Sequence, residues 1–330
     1  MKKRWLSPLA LIFALFLLLA ACGGDDNGGE NGEGGDVGDP STDPEMIQLA
    51  TGGTSGTYYP LGGEMADIIS NNTDVSADAI SSNASAENVM SIENGDLDLA
   101  FVQTDVVAHA VEGINAFDEP VEHVLAMGSL YPETIQIVTT EESGIESIED
   151  LAGKTVSVGA PGSGTFINAE QILEVHDMTI DDIDAQNLDF GESTGGIQDG
   201  NIDAAFITSG TPTGAVEGLA ASVDIAIVPI AQDKIDELVE AYPYYAADTI
   251  EEGTYNLSED VETVAVLAAL AVSDSLSEDL VYEMTKAIYE NAEGMAHDKA
   301  SFITIDTALD GIDIDVHPGA QKYFDEEGVE

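Results

Sequence analysis

The sequence predicts a two-lobed α/β protein. Three observations point there: about 287 residues follow an N-terminal leader and tether, β-type and helical stretches alternate along them, and one strand–loop–helix pattern occurs twice. A chain of that length exceeds the size at which single cores usually stop growing, so two lobes are expected.

Residues 95–101 read GDLDLAF and residues 200–206 read GNIDAAF, so Gly, Asp, Ala and Phe coincide at an offset of 105. Ahead of them stand Ser55-Gly56-Thr57 and Ser163-Gly164-Thr165, at an offset of 108. Each triplet follows a β-type run (Ile47 to Ala50, Thr155 to Val158) and precedes a helical one. About 40 residues on, an apolar strand ends in polar residues, Gln103-Thr104-Asp105 or Thr208-Ser209-Gly210. Two matches in the same order imply two similar lobes. The alternation predicts largely parallel sheets.

The remaining elements follow from periodicity. Residues 85–94 and 166–176 read as helices, with Val89, Met90 and Ile92, or Ile167, Ile172 and Leu173, as apolar positions. Residues 134–140 and 261–273 are long β-type runs. Over 277–297, Leu280, Met284, Ala287, Ile288 and Met295 share a helical face.

Before the fold lies a leader. Lys2, Lys3 and Arg4 precede an apolar run from Leu9 to Leu19, too short to span a bilayer comfortably. It ends in Leu19-Ala20-Ala21-Cys22, which resembles a bacterial lipobox. Residues 1–21 are therefore expected to be a lipoprotein signal peptide, with a lipid on Cys22 after cleavage; an ordinary signal peptide or an anchor helix are the alternatives. Cys22 is the only cysteine, which excludes an internal disulfide framework. From 23 to 43 the chain holds eight Gly and seven acidic residues. That composition cannot offset ordering entropy by burial, so 22–43 is expected to be a tether reaching roughly 25 Å.

Charge excludes several partners. The chain carries 64 acidic residues against 8 Lys and Arg, a formal charge of −56. Beyond the leader there are five Lys and no Arg. Nucleic acid and anionic lipid surfaces are not expected partners. An acidic surface of this kind fits high salt, where charges are screened within about 3 Å at 1 M. Acidic clusters at 181–184 and 310–315 fail the EF-hand spacing, and no metal or cofactor is expected.

The loops restrict the chemistry further. GAPGSGT at 159–165 has the P-loop spacing, but Thr165 stands where the phosphate-binding Lys is required. Gly162-x-Gly164 is not completed by Gly or Ala at 167, so the dinucleotide fingerprint fails. Gly53-Thr54-Ser55-Gly56-Thr57 lacks the last Gly of a nucleophile elbow. None of His109, His123, His176, His297 and His317 lies in a recognisable acid/base setting, so an enzyme is not expected. Anion binding remains: a strand-to-helix loop of small residues offers backbone N–H groups at a helix N-terminus. One such loop is usually no more than a cap; two facing one cleft suggest a ligand. Without Arg, a carboxylate must be held mainly by N–H groups and hydroxyls.

The segments LATGGTSGTYYPLGGEMADII, GDLDLAFVQTDVVAHA, LYPETIQIV, GKTVSVGAPGSGT, DAAFITSGTPTGAV and HPGAQKYF, in this order over about residues 46–325, resemble the TAXI family. These are the extracytoplasmic solute receptors of one branch of TRAP (tripartite ATP-independent periplasmic) transporters. The resemblance implies an α/β, type II periplasmic-binding-protein fold, with two lobes, a ligand cleft and a hinge. Lobe I would comprise 44–138 plus 265–330, and lobe II 139–264. It implies a small carboxylate ligand, glutamate or glutamine among them, delivered to TRAP membrane permease subunits driven by an ion gradient. A monomer, outside the cytoplasm and anchored through the lipid on Cys22, is expected. By position, Thr54, Ser55, Gly56, Thr57, Tyr58, Asn83, Gln103 and Tyr131 would bind ligand from lobe I, and Ser163, Gly164, Thr165, Thr211 and Pro212 from lobe II. Aromatic packing is the alternative for Tyr58 and Tyr131, and a turn for Asn83. A ligand-sensing lipoprotein that presents solute to a chemoreceptor or sensor kinase would need the same two lobes.

Overall fold

The computed structural model describes residues 43–329; the leader, Cys22 and the tether up to residue 42 lie outside the described residues. The chain opens with β1 (Met46–Ala50), α1 (Tyr58–Asn72), β2 (Ser76–Ile80), α2 (Ser85–Glu93), β3 (Leu99–Gln103) and α3 (Thr104–Glu112), and then the long strand β4 (Val124–Thr140). The order repeats as β5 (Thr155–Ser157), α4 (Gly164–Val175), β6 (Asp184–Gln186), α5 (Phe190–Gln198), β7 (Ala204–Ser209) and α6 (Gly214–Ala220). β8 (Ile225–Ile227), α7 (Gln232–Ala241), β9 (Ala246–Ile250), β10 (Val261–Ser273), α8 (Glu278–Asn291) and α9 (Pro318–Glu327) complete it.

The repeat in the sequence is a repeat of topology. β1 pairs in parallel with β2 and β3, and β5 pairs in parallel with β6 and β7. In each copy the strand that enters the Ser-Gly-Thr loop is central. GDLDLAF leads into β3 and GNIDAAF into β7.

The expectation of largely parallel sheets is corrected. The strands form one mixed sheet in the order β2-β1-β3-β10-β4-β7-β5-β6, with β8 on β4 and β9 on β10. β10 is antiparallel to β3, β4 and β9, and β4 to β7 and β8. The reason is connectivity. The chain leaves the first half along β4 and returns along β10, and an outbound and a returning strand side by side must be antiparallel. β4 runs 17 residues, roughly 56 Å at 3.3 Å per residue, longer than one half of the sheet. It starts ten residues before the β-type run read from the sequence.

Helices cover both faces, so four apolar clusters form. Ile47, Leu49, Leu61, Phe101, Met284 and Phe324 anchor one, and Val89, Val102 and Val106 lie in the cluster on the opposite face. In the second half, Ile137, Val156, Ile172 and Phe206 pack on one side and Val138, Ile207 and Val216 on the other. Burying each large side chain contributes about 1.5–3 kcal/mol. α8 carries Leu280, Met284, Ala287 and Ile288 inward, and the Ser277 hydroxyl caps it by accepting from the Leu280 N–H at 3.2 Å. It ends at Asn291, with a short 3₁₀ turn following, before the residue 297 expected from periodicity.

Candidate functional site

The two Ser-Gly-Thr loops converge because each follows the carboxyl end of a central parallel strand, where α/β sheets place their crevice. Between them lies a cavity of about 50 Å³. Of the residues expected to bind ligand, Gly56, Thr57, Tyr58, Asn83, Gln103, Ser163, Gly164 and Thr165 line it. Ser55, Thr54 and Pro212 lie instead on an adjoining outer groove, which Gly56 also borders. Thr211 lies on neither wall. Tyr131 does not reach the cavity: it is 1% exposed in the first apolar cluster, and its hydroxyl has no partner among the described residues.

The halves meet around this space. The Thr57 N–H donates to Ser209 Oγ (3.3 Å), Ser209 Oγ donates to Thr57 Oγ1 (3.0 Å), and Thr57 Oγ1 donates to the Gly210 carbonyl (3.3 Å). The N–H groups of Ala86 and Glu87 donate to the Gly162 carbonyl at 3.0 and 3.3 Å. Thr57 is thus used to join the jaws. Behind the cavity Asn168 makes four bonds. Its Nδ2 donates to Asp105 Oδ2 (3.0 Å) and to the Tyr245 hydroxyl (2.8 Å). Its Oδ1 accepts from Gln103 Nε2 (3.3 Å) and Thr208 Oγ1 (3.0 Å). Burial pushes the Asp105 carboxyl up to about 7, with the Asn168 bond opposing.

Polar groups without partners belong to residues of the cavity wall. Gln103 Oε1 and Ser163 Oγ are buried without a hydrogen bond among the described residues. α4 begins at Gly164, and the N–H groups of Gly164, Thr165 and Phe166 find no acceptor among the described residues. These are the orphan donors of a helix start, with the positive end of the macrodipole behind them.

Glu133, on β4, lines the same space and was missed from sequence. Its Oε2 accepts from the Tyr58 hydroxyl at 2.7 Å. Burial pushes its carboxyl up to about 8; the Tyr58 bond, Gln103 and the Lys299 ammonium act the other way, and Asp105 adds to the rise. Lys299 is the one lysine with a charge felt here, and its own burial lowers its pKa. Thr208, Ser209, Ser82, Ser85, Asp189 and Phe190 also line the cavity and were not named as ligand contacts. The signal for Thr208 and Ser209 was present, since the repeat aligns them with Gln103 and Thr104. The signal for Glu133 was its place two residues after Tyr131, which in a strand gives it the same face.

The arrangement can hold an oxyanion. No hydrogen bond joins Ser55 to a histidine among the described residues; His297 Nδ1, on the outer groove, accepts from the Lys299 N–H. No group of three His, Cys, Asp or Glu suited to a metal occurs among the described residues.

Two solved structures share the architecture. The alkanesulfonate-binding protein SsuA from Xanthomonas axonopodis pv. citri, bound to MOPS, superposes with a TM-score of 0.52 at 12% identity, over 86% of this chain and 84% of that one. PhnD1 from Prochlorococcus marinus (MIT 9301), in complex with methylphosphonate, superposes with a TM-score of 0.51 at 12% identity, over 86% and 97%. At these identities the likeness establishes the fold, that of periplasmic binding proteins. Residues 49–328, nearly the whole described chain, match the profile of the NMT1-like family, and the chain belongs to that family.

Proposed function

We propose that this protein is an extracytoplasmic solute-binding receptor that captures a small carboxylate and delivers it to a transporter. The observation that carries the reading is the cavity where two loops of the same kind meet: it offers N–H groups and a hydroxyl without partners among the described residues, and no guanidinium. Such donors suit an oxyanion that arrives with its own charge. SsuA and PhnD1 are named for alkanesulfonate binding and a methylphosphonate complex, both oxyanions on small organic groups, which supports a ligand of that class.

In this reading lobe I is 44–138 plus 265–330 and lobe II is 139–264, with the hinge on β4 and β10. Ligand binds the open form and stabilises the closed one because both loops reach it only there. The TAXI resemblance supports TRAP permease subunits as the partner, and the lipobox supports anchoring through Cys22.

A thermal-shift screen in molar salt, with amino acids, 2-oxo acids, dicarboxylates, sulfonates and phosphonates, tests the ligand class. A carboxylate should raise the melting temperature by mass action. Shifts only from sugars or metal cations would refute it. The permease is tested separately: uptake into vesicles should follow a sodium or proton gradient, and uptake that needs ATP would refute a TRAP partner.

A further inference from the structure

Each Ser-Gly-Thr loop meets the helix that follows the outer strand of the facing half. At Gly162 the contact is hydrogen-bonded: its carbonyl accepts from the N–H groups of Ala86 and Glu87, in the first turn of α2, at 3.0 and 3.3 Å. The turn at 53–56 meets the start of α5 instead. There a Cβ on Gly56 would stand 3.3 Å from two carbons of the Phe190 ring, and one on Gly191 would stand 2.9 Å from Ser55 Oγ. No hydrogen bond joins residues 53–56 to residues 189–191 among the described residues. This second seam is therefore made by packing, with a phenyl ring laid on a bare glycine.

The two seams are equivalent in the repeat and unlike in chemistry. Ser85 and Phe190 are each the first residue of a helix, after β2 and β6, and both line the cavity. Ser85 is 1% exposed, and its hydroxyl accepts from the Gln103 N–H at 3.1 Å. Phe190 carries a ring where the first half carries that hydroxyl. The ring is half-buried and packs against the cluster of Ile197, Ile202 and Val216. A capping box fixes the backbone beneath it. The Glu192 N–H donates to Asp189 Oδ1 at 2.8 Å, and the Asp189 N–H donates to Glu192 Oε2 at 3.3 Å. Joining the halves needs only small groups at this place, as Ala86 and Gly162 show, so the ring serves something else.

Strand order shows what. From β4 outward the second half runs β7, β5, β6. The crevice thus presents Thr208 and Ser209 first, then the α4 start with the unpartnered Ser163 hydroxyl, and Phe190 last. The inner end is taken up by bonds between the halves, from Gln103 to Asn168 and from Ser209 to Thr57. A ligand whose oxyanion takes the donors of α4 therefore extends outward, and the line of β6 lies about 4.8 Å away, one strand spacing.

We propose that Phe190 is a specificity-determining residue: its ring closes the outer end of the cavity and sets the longest ligand that the closed form accepts. Gly56 stays bare because a side chain there would meet the ring. The inference rests on the receptor reading above and adds to it a limit on ligand length.

The experiment is calorimetry of the full chain in molar salt with straight-chain monocarboxylates from acetate to octanoate, which vary length at a constant head group. In wild type, affinity should climb by up to about fourfold for each added CH₂ and then fall once the chain meets the ring. Phe190→Ala should move the maximum to longer acids and raise the affinity of the first acid that wild type rejects by about tenfold or more. Phe190→Trp should move the maximum to shorter acids. If Phe190→Ala fails to fold, Phe190→Leu keeps an apolar group on the Ile197 cluster and should move the maximum in the same direction by less. A ring that only supports the fold would weaken every acid by one factor and leave the maximum in place. That result, or a wild-type affinity that rises without a maximum through octanoate, overturns the role of Phe190 and leaves the receptor reading intact. Silence from every acid, with wild type and variants alike, overturns the carboxylate reading and this inference with it.

Discussion

Gly164→Ala should block closure while leaving each half folded. Gly164 is the first residue of α4, and its φ lies outside the left-handed region, so the backbone accepts alanine. Taken alone the change would favour the helix slightly. The added Cβ, however, overlaps the Gln103 carboxamide and comes within 3.0 Å of Val106 Cγ2, and both residues belong to the facing half. Gln103 must swing away and lose its 3.3 Å bond to Asn168. Overpacking costs about 1–3 kcal/mol and the lost hydrogen bond about 1 kcal/mol. Together, about 2–4 kcal/mol opposes the closed form, which weakens ligand binding by about 30- to 800-fold. Calorimetry with whichever carboxylate the screen returns measures this, and small-angle scattering should show loss of ligand-driven compaction. The double variant Gln103→Ala/Gly164→Ala should bind more tightly than Gly164→Ala alone, because the overlap is gone. Affinity of the single variant within about threefold of wild type would refute the reasoning.

Other consequences follow from buried groups and from charge. Tyr131→Phe removes a buried hydroxyl that has no partner among the described residues, so it should raise unfolding stability by about 1 kcal/mol and change ligand affinity by less than about twofold; a large affinity loss would restore Tyr131 as a ligand contact. Asp105 has a folded-state pKa of about 7, above its unfolded value of 3.8. Its burial cost is therefore absent below about pH 4, grows as pH rises to about 7 and is constant above. Asp105→Asn should then be more stable than wild type at about pH 8, by about 1 kcal/mol or more, and nearly equal to it near pH 4; urea titrations giving the same difference at both would contradict this. With 64 acidic residues against 8 basic ones, raising NaCl from about 0.1 to about 1 M should lift the melting temperature by about 5 °C or more through screening. A flat profile would show that self-repulsion does not limit stability.

What could be read in advance was what lies close along the chain. The paired Ser-Gly-Thr loops, the helices at 85–94 and 166–176 and the polar ends of β3 and β7 are local patterns, set by capping, by 3.6-residue periodicity and by the preference of β-branched residues for strands. Sheet polarity was not local: the antiparallel pairing of β4 with β10 follows from where a strand returns after more than a hundred residues. The cavity wall shows the same division. Strand alternation gives Tyr131 and Glu133 one face, but only packing decides that Tyr131 is enclosed in the apolar cluster with Phe324, while Glu133 meets the Tyr58 hydroxyl at the cavity. Thr211 and Pro212 share the loop after β7 with Gly210, yet the turn there carries them off the cavity wall and leaves Thr208 and Ser209 on it. By itself the sequence determined two matching α/β halves, a donor-rich loop in each and the absence of arginine beyond the leader, because composition and short-range geometry suffice for these. The tertiary structure alone decided that a buried acid lines the same cavity as those loops, since burial and proximity are properties of residues brought together from distant parts of the chain.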